Sequence, residues 1–109
     1  MTALLFLAQR LSAAVLAVAV TVHLATIIHA ARAGMTAADV LARTRGNVGF
    51  LIVYAIFVLA VAIHAPIGLR NVLREWTFWR GRSLDLALAA FALVLLGLGL
   101  RAALAVFLP

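Results

Sequence analysis

The apolar positions of this chain do not alternate with polar ones. They run together in three blocks, about Leu11–Ala31, Val48–Leu69 and Leu84–Leu108. Each block reaches the roughly 20 residues that a helix rising 1.5 Å per residue needs to cross a bilayer. Lipid offers no hydrogen bonds to a bare backbone, so runs of this kind must be helical. The pattern predicts an all-α integral membrane bundle of three transmembrane helices, forming one domain over residues 1–109. Small residues, Ala13 and Ala17 on the first span and Gly97 and Gly99 on the third, suggest close approach by other helices. The bundle is therefore expected to be completed by helices of a partner chain.

The polar stretches between the blocks have a character of their own. In "RAGMTAADVLARTRGN" Thr36 is placed to cap a short interfacial helix. "RNVLREWTFWRGRS" carries four arginines and two tryptophans, a membrane-interface composition.

Composition sharpens this picture. With 68% hydrophobic residues and only three acids (Asp39, Glu75 and Asp85), the chain has no polar surface for a soluble domain. All nine basic residues are arginines, and they sit at span ends rather than in one patch, which excludes nucleic acid as a partner despite a pI near 11.9. There is no cysteine for a disulfide, a Cys-ligated cluster or a zinc site. The first block lacks a basic start and is too long for a signal peptide, so it is expected to be retained. Arg10, Arg70, Arg74, Arg80 and Arg82 fall on one side of the membrane, and Arg32, Arg43 and Arg45 on the other. Five against three predicts the N-terminus and the second connection inside.

Three histidines interrupt the apolar runs: His23, His29 and His64. An imidazole in lipid needs a polar partner, and neutral imidazole is also a common iron ligand. His29 lies near the outer end of its span and needs little explanation. His64 lies six residues from Arg70, about 9 Å, and His23 thirteen from Arg10, about 20 Å. A depth difference of about 10 Å makes the pair unsuited to binding one iron from opposite sides. If both are ligands, they serve two haems, each drawing its second ligand from another chain. At about 100° per residue His64, Gly68, Asn71 and Glu75 share a stripe, as do Ser12, Leu16, Ala19 and His23.

The stretch "HAPIGLRNVLRE" resembles the second helix of the cytochrome b membrane-anchor subunits of succinate dehydrogenase and fumarate reductase. That family carries a histidine, then glycine, an aliphatic residue and arginine, then an acid; His64, Gly68, Leu69, Arg70 and Glu75 match. Its first helix opens with an arginine followed by a serine, similar to Arg10, Leu11 and Ser12. Ala13 stands where many members have glycine, and Phe6 where many have a small hydroxyl residue. "HLATIIHAARAG" is similar to the two-haem anchors, which place a ligand histidine late in the first helix, at the position of His23.

The resemblance implies a haem b axial ligand at His64 and a second at His23, with a buried hydrogen-bonding histidine as the other reading of each. It implies Arg10 and Ser12 near a quinone or a haem propionate; Arg70 joins them, and Arg101 either pairs with a propionate or snorkels to the outer surface. It implies a non-catalytic subunit that docks the flavoprotein and iron–sulfur subunits in a bacterial-type inner membrane. Electrons then pass between those subunits and membrane quinone. The second anchor chain is expected to be a different subunit, with a homodimer as the other arrangement. Two further readings stay open: an unrelated small b-type cytochrome, and a haem-free membrane protein such as a transporter or an assembly factor. A transporter of this size usually needs an intramembrane carboxylate, and all three acids lie at span ends or in connections.

Overall fold

The computed structural model describes residues 2–109. It is all helical: α1 (Ala3–Arg32), α2 (Ala37–Thr44), α3 (Val48–Trp76) and α4 (Arg82–Phe107). The three long helices, of 30, 29 and 26 residues, are each long and apolar enough to cross a membrane. The bundle is a slab of 48 × 24 × 22 Å, its long axis set by helix length. Helix α3 is the middle element, packed against α1 on one side and α4 on the other, while α2 rests on α4.

Local chemistry sets the helix ends. Thr2 caps α1 by accepting the Leu5 N–H at 3.2 Å. Thr36 and Asp39 form a full capping box on α2: the Thr36 hydroxyl accepts the Asp39 N–H at 3.2 Å, and the Asp39 carboxylate accepts the Thr36 N–H at 2.8 Å. Those bonds, with help from Arg43, hold the Asp39 carboxyl below its ordinary range. Asn47 caps α3. Gly34, at φ 66°, lets the chain leave α1 in the left-handed region. The α2–α3 corner is tied to the end of α4, where the Thr44 hydroxyl donates to the Val106 carbonyl at 2.7 Å and the Gly46 N–H to Phe107 at 2.9 Å. Two of the carbonyls orphaned at that helix end are thereby satisfied.

Two helices outrun their apolar blocks. Helix α1 begins at Ala3, so Arg10 and Ser12 lie inside it rather than at its opening. Helix α3 continues past Leu69 to Trp76, so Arg70, Arg74 and Glu75 are helical rather than part of a connection. Hydropathy marks only the segment inside lipid, whereas arginine, leucine and glutamate are good helix formers that carry the helix on into the interface. Arg70 Nε bonds Asp85 Oδ1 at 3.0 Å and clasps α3 to α4 at this end.

The interior is thin. Ala60, Pro66, Leu84, Leu88 and Ala103 are the buried apolar residues, and Ser12 and Thr44 the buried polar ones. The closest approach is at Gly99, where an added Cβ would meet Val58 at 2.5 Å. Most leucines, isoleucines and valines of the spans face outward, as lipid or neighbouring helices require.

Candidate functional site

The seam between α1 and α3 collects most of the polar side chains within the spans. On α1, Gln9, Ser12, Leu16 and His23 recur on one face. Ser12 is buried there, its hydroxyl donating to the Gln9 carbonyl at 3.1 Å. The Gln9 amide lies 3.3 Å from the place a Gly68 side chain would occupy, so the His64–Gly68 face of α3 looks at α1. Farther along, His23 meets Tyr54 and Phe57 edge-on, with ring centroids 6.1 and 5.7 Å apart. Both imidazoles therefore enter one seam from opposite helices.

These contacts set the depths. Tyr54 and Phe57 precede His64 by ten and seven residues, so the histidines stand about 10–15 Å apart along the axis. From the Gln9–Gly68 contact, Ser12 is three residues along α1 and His64 four residues back along antiparallel α3, so both stand at about one level.

His23 Nδ1, His64 Nδ1 and Gln9 Oε1 are buried without a hydrogen-bond partner. Each such atom costs on the order of 1–3 kcal/mol when left unpaired. Among the described residues no three His, Cys, Asp or Glu side chains gather as a metal cage.

The two ends of the seam differ in space. Three clefts meet at His23 and Tyr54. One, of about 610 Å³, runs between α1 and α3; a second, of about 350 Å³, reaches Gly99 on α4; a third, of about 250 Å³, passes beneath α2 to Arg43 and His29. None of them reaches His64. A cleft of about 440 Å³ between α3 and α4 holds Pro66, Leu88 and the Arg70–Asp85 pair, on a different side of α3 from His64.

The remaining arginines scatter. Arg10 is exposed and lies over its own Phe6 ring at 5.7 Å, turned away from the face that buries Ser12. Arg70 is taken up by Asp85. Arg101 is exposed on the side of α4 opposite Gly99 and lines none of these clefts. His29 is exposed at the rim of the α2 cleft. Gln9, Arg43, Tyr54 and Phe57 were not singled out by the sequence. The stripe of Ser12 and His23 would have reached Gln9; nothing local marks Arg43, which shares a cleft with His23 only through the fold.

The succinate dehydrogenase/fumarate reductase transmembrane subunit family matches residues 1–104. The chain belongs to that family. No curated protein and no solved structure matches the chain significantly. Membership and the three apolar helices make it a multi-pass membrane subunit of a succinate dehydrogenase or fumarate reductase complex, whose quinone chemistry is a general property of the family. It also agrees with a bundle completed by partner helices. Haem b asks one imidazole of an anchor chain for each axial position. Two imidazoles whose Nδ1 atoms are buried and unbonded fit that demand, with open clefts at His23, and a cage of several metal ligands is not needed.

Proposed function

We propose that this chain is the haem b-carrying membrane anchor of a succinate:quinone oxidoreductase, with axial ligands at His64 and His23. The reading is carried by one observation within the family frame: two imidazoles in the α1–α3 seam, at different depths, whose Nδ1 atoms have no partner in the chain. When bound, haem supplies one-electron transfer between the iron–sulfur subunit and quinone. The chain's residues do the rest. Gly68 lets the Gln9 side chain of α1 approach beside His64, the Phe57 and Tyr54 rings fix the plane of His23, and the apolar spans exclude water and so influence potential.

The Arg70 end is the inner end in this reading, with the N-terminus inside and α2 outside in a bacterial-type inner membrane. Ser12 stands level with His64, and Arg10 and Arg70 border that surface, where the family resemblance puts quinone and propionates. The cleft beside Arg70 falls within the size range of small-ligand sites and is the place in this chain for a quinone ring. Trp76, Trp79 and the inner arginines form the docking face for the iron–sulfur and flavoprotein subunits. Each haem takes its second ligand from another anchor chain, a different subunit in preference to a second copy.

The deciding experiment is purification of the chain from its native membrane. Copurification of a flavoprotein, with a b-type reduced-minus-oxidised spectrum, is the expected result. Haem without a flavoprotein would contradict the docking role. Neither haem nor flavoprotein would leave a haem-free membrane protein.

A further inference from the structure

The cleft beneath α2 links two kinds of group that are far apart in sequence. At its inner end stand His23 and Tyr54, deep in the seam; at its rim stand Arg43 and His29. The one ion pair among the described residues joins Arg70 to Asp85, at the opposite end of the bundle. Asp39, one turn before Arg43, is held by the Thr36 cap. The Arg43 guanidinium therefore has its hydrogen-bonding capacity to offer. A haem is a flat apolar ring with two carboxylates on one edge. It asks for an imidazole at membrane depth and a cation at the water edge of the same cleft, and a planar guanidinium binds a carboxylate through two parallel hydrogen bonds. Arg101, next in sequence to residues of the cleft that reaches Gly99, turns to the far side of α4.

We propose that Arg43 on α2 is the carboxylate-binding residue for the haem carried by His23. The inference rests on the reading of His23 as an axial ligand. Helix α2 thereby acquires a positioning role, since its capping box and its bond to the end of α4 hold Arg43 over the cleft. A cation beside the ring disfavours the more positive ferric state, so its removal lowers the midpoint potential.

The test is a redox titration of the purified complex, with haem counted per copy of this chain, in Arg43→Lys, Arg43→Gln and Arg43→Glu. The outer haem's midpoint should fall in the order Arg, Lys, Gln, Glu, while the haem removed by His64→Ala keeps its own. Loss of the outer haem in the Gln and Glu variants with retention in Lys supports the proposal equally. Unchanged midpoints and haem content in Gln and Glu would overturn it, as would haem loss in all three. Thr36→Ala, which loosens α2 but keeps the guanidinium, should lower the midpoint by less than Arg43→Gln; a shift equal to or larger than that of Arg43→Gln would also overturn it. His23→Ala distinguishes failure of the ligand from failure of the arginine. If it leaves every haem in place, the ligand reading fails and takes this one with it. If it removes a haem while the Arg43 series stays flat, only the role of Arg43 fails.

Discussion

The two histidine regions make opposite use of the same seam. Around His64 the helices are close: the Gln9 amide fills the space beside Gly68, and none of the four clefts described above reaches the ring. Around His23 they part, and three clefts meet between aromatic rings. The family motif lies at the tight end, while most of the ready-made volume lies at the open end. A motif records which side chain a cofactor needs, whereas volume records which chain builds the walls. At His64 this chain offers a ligand, and a partner must supply most of the enclosure. At His23 it offers a ligand together with part of the enclosure.

The largest effect follows from substituting the ligands one at a time. His64→Ala should abolish one low-spin b-haem signal and leave the other, and His23→Ala should do the reverse, read from reduced-minus-oxidised spectra of accumulated complex. A single variant that removed both signals would merge the two regions into one site and break the comparison. Next comes packing where α3 and α4 touch. Gly99→Leu drives a side chain into Val58 and should destabilise the protein by about 1–3 kcal/mol, seen as a lower melting temperature of the detergent-solubilised complex. Gly97→Leu, which meets nothing within this chain, should spare the α3–α4 contact. Equal losses in the two variants would mean that a partner helix covers Gly97.

Much of the fold was legible because hydropathy in a membrane chain is a nearly complete instruction: three long apolar runs leave no alternative to three helices. The capping box was also local, with Thr36 and Asp39 three residues apart. What hydropathy could not show was where α1 and α3 end, because Ala3–Arg10 and Arg70–Trp76 are helical by propensity rather than by burial in lipid. His64, Gly68 and Ser12 could be read from short motifs and shared stripes. The convergence of Arg43, Tyr54 and His23 could not, since they come from three different helices and meet only once α2 folds back onto α4. Arg10 illustrates the converse: it is two residues from Ser12 in sequence, yet about 200° away around the helix.

Smaller effects sharpen the inner end. Asp85→Asn removes the Arg70 clasp, and with Asp85 more than half exposed the loss should stay within about 1 kcal/mol, again read from the melting temperature. A much larger loss would mean that the pair is enclosed by a partner subunit. The smallest effect concerns acid. The folded-state pKa of Asp39 is lowered, so its contribution to α2 is complete above the ordinary aspartate pKa and disappears as pH falls through the lower folded value. Asp39→Asn should therefore flatten the acid limb of the stability profile, with a small loss near neutrality and no change at the acid end.

The most direct test of the two-haem assignment is the number of haems per assembled complex, obtained from the mass of the intact membrane assembly together with pigment analysis. Two b haems at two depths are expected, with His23 and His64 each ligating one and a second anchor chain present. One haem in a complex that contains a different second anchor chain would contradict the assignment and return His23 to the role of a packing residue.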